Sequence, residues 1–274
     1  MGRSVLSIKS VIMGLMKIIP LGTNGFFSSF GRATACYAVP FKETLIILDA
    51  GSGLFRFAEP GGKKLLKGVS DVHLFLSHYH LDHTFGFYAA FKLLEGKKVT
   101  VFGSEEREVF SEFPPLEYFP IDYSQKHRHF SWRKLEEGTH KISSYKVSVL
   151  KQNHRREVSL GFRFKFEDKS LAYITDTEVS KEGTEFVKDA DLLLHEHGFS
   201  GEKLLGKKLE NQVIDGHVTT IGAALIAKKA KVGKLVLIHH FPFHDEKKLA
   251  EQLKVARSIF PETILAKDLK AIEF

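Results

Sequence analysis

One cysteine, one tryptophan and three methionines are all that these 274 residues hold of those types, and asparagine and glutamine are scarce as well. With Cys36 alone, an intramolecular disulfide is excluded. A reducing compartment, the cytoplasm, is therefore the expectation. Cys36 itself, in Ala-Cys-Tyr, reads as a small buried strand residue. No apolar run approaches the ~20 residues needed to cross a bilayer as a helix. The run at 11–16 is flanked by Lys9 and Lys17 and has no small-residue cleavage site after it, so neither a membrane span nor an export signal is expected. Repeats and low-complexity linkers are missing too, which favours one domain over two.

What is present is the balance of a soluble globular protein, 43% hydrophobic and 27% charged. Lysine and glutamate are plentiful against the scarce amides, a composition that suits a thermophile. The net charge of +7 favours anionic substrates. Yet the lysine pairs at 63–64, 97–98, 207–208, 228–229 and 247–248 are scattered and read as solvated faces, not as one binding stripe. Residues 1–15 are expected to be an extension that carries no chemistry, and 16–274 to form a single domain.

The chemistry concentrates at Ser-His78-Tyr-His80-Leu-Asp82-His83-Thr-Phe-Gly86, where four ligand-type side chains fall within six positions. The preceding Val-His-Leu-Phe-Leu reads as a buried strand that ends at the first of them. Side chains two apart then share a side of the chain, which brings His78 and His80 together. Imidazoles with a carboxylate suit zinc, with manganese or iron as alternatives. Such density of ligands points to a metal site.

Taken in order, the expected strands cover 18–21, 33–39, 44–48, 99–102, 145–150, 159–166, 170–175, 191–194, 234–238 and 263–265. Helices are expected over 84–94, 218–230 and 246–259. Chemistry-bearing residues stand where strands stop: Asp49, His78, His154, Asp176, His195 and His239. Asp49, before glycines, would by itself be read as a turn former ahead of a site residue. His127, His129 and His140 lie on polar segments and are expected to be exposed. The Phe- and Pro-rich 113–120 is expected to pack as a loop or to wall the site. Ends of successive strands can converge on one edge of a packed sheet.

With these residues in that order, the chain from Met16 onward resembles the metallo-β-lactamase-fold hydrolases. The resemblance implies a four-layer αββα sandwich of α/β class, two mixed sheets with helices outside and a dinuclear site at one edge. By position, His78, His80 and His154 would hold one zinc, Asp82, His83 and His239 the other, and Asp176 would bridge. His240, which follows His239 directly, is the alternative ligand. Asp49 would orient a ligand by hydrogen bonding. Within the superfamily, Gly216-His217-Val-Thr-Thr, the helix after it and Leu-Val-Leu-Ile-His239 are most similar to the ribonuclease Z and cyclic-phosphodiesterase branch. There His217 would touch the scissile phosphate, and with Asp82 it makes up the catalytic pair. The short spacing from His154 to Asp176 leaves no room for a long tRNA-gripping arm, and the final strand departs from the pattern with His239-His240-Phe-Pro.

The resemblance implies a hydrolase in which two metals activate a water against a small or cyclic phosphodiester or an RNA end. His217 would supply a proton to the leaving oxygen. A carbonyl-ester hydrolase (a lactonase or a glyoxalase II-like thioesterase) is the alternative, and a non-catalytic metal- or metabolite-binding member is the second. His195-Glu196-His197 is expected to support the site or lie in a loop. No membrane partner is expected, and a homodimer is left open.

Overall fold

Period-two alternation sets the layers. In the strand Thr44–Leu48, Ile46 and Leu48 enter one apolar cluster while Leu45 and Ile47 enter another, as in a strand covered on both faces. The computed structural model describes residues 15–105 and 129–274. Seven strands form the first sheet: β1 (Lys17–Gly22), β2 (Cys36–Phe41), β3 (Thr44–Leu48), β4 (Asp71–Phe75), β5 (Lys98–Gly103), β6 (Phe130–Lys134) and β16 (Ile272–Glu273), in the order β16-β1-β2-β3-β4-β5-β6. The pairs from β16 to β3 are antiparallel, and those from β3 to β6 parallel.

The second sheet mirrors that plan with β7 (Gly138–Ile142), β8 (Tyr145–His154), β9 (Glu157–Lys165), β10 (Ser170–Ile174), β11 (Leu192–Glu196), β14 (Lys234–Ile238) and β15 (Thr263–Leu265), in the order β15-β14-β11-β10-β9-β8-β7. Here β7 to β10 pair antiparallel and β10, β11, β14 and β15 parallel. A two-stranded ribbon, β12 (Val213–Ile214) and β13 (His217–Val218), stands apart.

The sheets face each other across one core that takes Tyr37, Leu48 and Phe75 from the first and Phe162, Tyr173 and Val236 from the second. Phe75 is its hub, stacked on Phe102 at 4.7 Å and edge-on to Phe164 at 5.0 Å. The outer face of the second sheet is covered by Thr220–Ala230 and the chain around Ala256. Alanines on Thr220–Ala230 allow that helix to lie close, and Thr219 caps it by accepting from Gly222 N at 3.1 Å. Glu246–Ile259 is capped by Asp245 in the same way. The result is the expected αββα sandwich.

Several boundaries differ from expectation. The strand before His78 stops at Phe75, so Ser77 to His80 are loop and strand alternation does not place the histidines. The expected helix over 84–94 is two short ones, Leu81–Thr84 and Phe87–Leu93. They part at Gly86, whose N–H donates to Ala50 O at 2.7 Å and where a Cβ would lie 2.5 Å from Gly51 O. The close approach fixes the signature loop against the chain that follows β3. His217 lies on β13 rather than at a helix start, since that helix begins at Thr220. β6, β7 and β16 were not anticipated, being short and partly exposed. From His154 to Asp176 the chain is spent on two tight hairpins, β8–β9 and β9–β10, and no arm leaves it. The segment 113–120 and His127 lie outside the described residues.

Candidate metal centre

Parallel strands β3, β4, β10, β11 and β14 end on one edge of the sandwich, where open α/β sheets characteristically bind ligands. Asp49 and His239 directly follow β3 and β14, and Asp176 stands two residues past the end of β10. All three have left-handed backbones, φ 56° for Asp49, 57° for His239 and 47° for Asp176. Each costs roughly 1–3 kcal/mol, a strain that the surrounding packing must hold in place. The turns send their side chains into one cluster. Gly25 is required beside it, since a Cβ there would sit 2.2 Å from the His239 ring.

Asp49, fully buried, organises one side of that cluster. Its Oδ1 accepts from Ser77 N at 2.7 Å; its Oδ2 accepts from Ser77 Oγ at 2.8 Å, Tyr173 OH at 2.6 Å and His83 Nδ1 at 2.7 Å. His83 thus keeps its Nε2 for the cluster, 3.3 Å from Asp82 Oδ2, 3.2 Å from Asp176 Oδ2 and 3.2 Å from His239 Nε2. His239 Nε2 is in turn 3.3 Å from each of the same two carboxylates. Burial works against a charged His83, yet Asp82, Asp176 and Asp49 outweigh it and hold its pKa well above the ordinary value. Burial likewise opposes charge on Asp82 and Asp176, but their histidine neighbours keep both carboxyls well below the usual range. Both carboxylates therefore stand ionised among imidazoles.

On the other side, Ser77 Oγ has committed its proton to Asp49, so His78 Nδ1 donates to that oxygen at 3.0 Å. His78 Nε2 is left bare, buried and without a hydrogen-bond partner. Burial, then the neighbouring His83, hold the ring's pKa well below its usual value, so that lone pair stays free. His154 donates from Nδ1 to Gly216 O at 3.2 Å, and its Nε2 lies 3.8 Å from Asp176 Oδ1. Burial also lowers the His154 pKa. His80 is bound through Nε2 to Glu157 at 2.8 Å, which leaves Nδ1 as its remaining nitrogen. Donor atoms of His78, His80 and His154 lie within 4.8 Å of one another, as do those of Asp82, His83 and His239, and those of His78, His83 and Asp176. An orphaned buried nitrogen among imidazoles and carboxylates is the donor set a divalent transition metal takes.

Sequence reading had His195-Glu196-His197 as support or loop, without a role for each. In the structure Glu196 is fully buried and accepts from Thr177 N at 2.6 Å, while its Oε2 lies 2.7 Å from His217 Nδ1. Burial opposes charge on His217, but Glu196 and Asp176 outweigh it and raise its pKa to about 9. Glu157, Tyr173 and Ser77 were also missed as positioning residues. The signal available for Glu196 was an acid at the end of a buried strand, as at Asp49 and Asp176. His240 turns away from the cluster: its nitrogens meet His197 at 2.7 Å and Ala266 O at 2.9 Å. His195 and His197 are buried as well.

A cavity of about 640 Å³ opens over the cluster. His80, Asp82, His154, Asp176, His217 and His239 line it, together with Phe26, Phe199, Phe241 and Arg155. Among the described residues no helix is long and apolar enough to cross a membrane.

Residues 44–240 match the family model described as the beta-lactamase superfamily domain. The chain is 23% identical to the ribonuclease Z of Archaeoglobus fulgidus, over 94% of this chain and 98% of that one. Among solved structures it resembles the metallo-beta-lactamase fold protein YhfI of Bacillus subtilis, with a TM-score of 0.70 at 21% identity over 94% and 99% of the two chains. It also resembles the short form of human tRNase Z, with a TM-score of 0.65 at 18% identity over 94% and 98%. With nearly three quarters of its length inside the matched region, the chain belongs to the beta-lactamase superfamily, as a metallo-β-lactamase-fold hydrolase related to ribonuclease Z.

Proposed function

We propose that the protein is a dinuclear, zinc-dependent phosphodiesterase acting on a small or cyclic phosphodiester or an RNA end, with manganese or iron able to replace zinc. His78, His80 and His154 would hold one ion, Asp82, His83 and His239 the other, and Asp176 would serve both. Bound there, the ions supply Lewis acidity that lowers the pKa of water and neutralises charge on phosphate oxygens. Asp49 holds His83 in one tautomer, and Ser77 does the same for His78. Asp82 accepts from Phe26 N at 2.7 Å and faces the cavity, where it orients the attacking side.

The observation that carries the phosphodiester reading is the His217–Glu196 pair on the wall of that cavity. Glu196 takes Nδ1, so Nε2 is the nitrogen left to give a proton to the departing oxygen. Such general acid help is worth on the order of 10²–10⁴-fold. An acyl carbon attacked over the same metals has less need of a further imidazole. The cavity suits a small ligand, by the usual ~300–1,000 Å³ of such sites. The absence of an arm between His154 and Asp176 fits the same substrate size. We read residues 16–274 as one catalytic unit in the cytoplasm, with 1–15 outside it.

Supplied with zinc or manganese, the protein is expected to hydrolyse bis(p-nitrophenyl) phosphate, and a chelator to abolish the activity. His217→Ala should keep both metals and lose about 10²-fold or more in kcat. Faster turnover of a lactone or thioester than of any phosphodiester would overturn the reading, and so would metal loss in His217→Ala.

A further inference from the structure

The loop from β1 to β2 is built against two ordinary preferences. Phe26, Phe27 and Phe30 stand 72%, 38% and 57% exposed, and Phe26 and Phe30 take left-handed backbones, φ 59° and 49°. Bulky residues rarely adopt that conformation. Nor is the loop loosely held. Buried Arg32 donates from Nε to Asn24 Oδ1 at 2.7 Å, Asn24 donates to Ser29 Oγ at 2.9 Å, and Ser29 Oγ donates to Pro242 O at 2.5 Å. Phe26 N, as noted, is tied to Asp82. A loop so anchored displays its rings because their position is fixed, not because they failed to pack.

These rings continue into others. Phe26 meets Phe27 at 5.2 Å and Phe27 meets Phe243 at 5.2 Å, both edge-to-face; Phe243 meets Phe241 at 5.3 Å, and Phe241 meets Phe199 at 5.1 Å. Phe243 is 66% exposed. Phe26, Phe241 and Phe199 line the cavity, and Phe199 lies 6.4 Å from the His217 ring. An exposed aromatic patch of this kind marks a recognition surface. Its continuity with the cavity makes the bound substrate, rather than a separate partner, the natural occupant. Rings already held edge-to-face offer their remaining faces without further loss of side-chain freedom.

We infer that the Phe26–Phe27–Phe243 rim is a stacking subsite for a planar aromatic or heteroaromatic ring esterified to the scissile phosphate. The inference rests on the phosphodiesterase reading and narrows it: the preferred substrate carries a flat, uncharged π-system on one ester oxygen, and a purely alkyl diester leaves the rim bare.

The test compares phenyl p-nitrophenyl phosphate with ethyl p-nitrophenyl phosphate, which share a leaving group, on the zinc-loaded full chain. Stacking of one ring is worth roughly a tenfold preference. The phenyl-to-ethyl ratio of kcat/KM should fall about that much in Phe27→Leu/Phe243→Leu, mainly through KM, while comparison between proteins cancels intrinsic reactivity. Phe243→Leu alone, at an exposed position, should give a partial fall if the double variant does not fold. Calorimetric affinities for phenylphosphonate and ethylphosphonate should show the same preference and the same loss. If neither diester is hydrolysed, the phosphodiesterase reading fails while the phosphonate preference still reports on the rim. Equal phosphonate affinities in the unmodified protein, or an unchanged diester ratio in the variants, would remove the subsite. Conversion of a dimer to a monomer by the double variant would reassign the rim to contact between copies.

Discussion

The two sides of the donor cluster are assembled by different means. Around His83 the scaffold is buried and hydrogen-bonded: His83 and Asp49 are wholly buried, and Ser77 and Tyr173 complete the ring of donors. Around His80 it is open: the His80 side chain is 42% exposed and its partner Glu157 56%. Tyr173 comes from the second sheet, so the first side is fixed by the packing of the whole sandwich. Glu157 opens β9, opposite His154 at the turn of the β8–β9 hairpin. One side is preorganised throughout; on the other, His78 and His154 are buried and hydrogen-bonded while His80 is free to adjust. If the proposed ions seat here, the His83 side should bind more tightly and the His80 side exchange more readily, because preorganisation removes an ordering cost from binding.

The sharpest way to break this contrast is Asp49→Ala. It would strand Ser77 N, Tyr173 OH and His83 Nδ1 without their acceptor in the core. Breaking a buried charged partnership costs roughly 3–5 kcal/mol. The variant should therefore lose stability by that order in urea unfolding, together with both metals. Asp49→Asn, which keeps one acceptor oxygen, should recover part of the stability. A variant that unfolds like the parent would show that the buried side is held by packing alone.

A smaller effect is expected at the open side. Glu157→Gln weakens the acceptor on His80 Nε2. Losing such an outer carboxylate typically costs about 10–100-fold in metal affinity. Competition against a chromophoric chelator should show one of two ions weakened by the lower end of that range and the other unmoved. Equal weakening of both would mean that the two sides respond as one unit, and the contrast between them would not hold.

The same division explains what was legible in the sequence. His78, His80, Asp82 and His83 fall within six positions, so their chemistry announces itself without a structure. β3, β14 and Glu246–Ile259 fall on their expected bounds because each has an unbroken apolar run or a clear amphipathic repeat. The groups that orient the donors were hidden, because their partners are distant in sequence. Tyr173 is 124 residues from Asp49, and nothing local in β10 distinguishes it from any other buried aromatic. Glu196 was visible as an acid at a strand end, but its pairing with His217 exists only once β13 is folded against it. Among strands, β6 and β7 escaped notice because their sequences, Phe-Ser-Trp-Arg-Lys and Gly-Thr-His-Lys-Ile, are polar enough to face water.

The smallest expected effect concerns β4, which leads from the core to the signature loop. His73 on that strand is buried, and its Nδ1 lies 2.8 Å from Tyr145 OH in the facing sheet. Burial lowers its pKa; Arg133 and Lys98 act in the same direction and Asp71 against it. The unfolded chain, with an ordinary value of about 6.5, then takes up the proton at a higher pH than the folded one. Below that value the unfolded state binds more protons, so stability falls as the pH drops toward the folded pKa. His73→Gln keeps a hydrogen-bonding side chain for Tyr145 but cannot titrate. Measured by urea unfolding at about pH 7.5 and about pH 5.5, its loss of stability across the interval should be smaller than the parent's, since the cluster histidines titrate in both proteins and cancel. Identical losses would show that β4 enters the sandwich without a proton-linked weakness, leaving the acid sensitivity of the fold to the donor cluster alone.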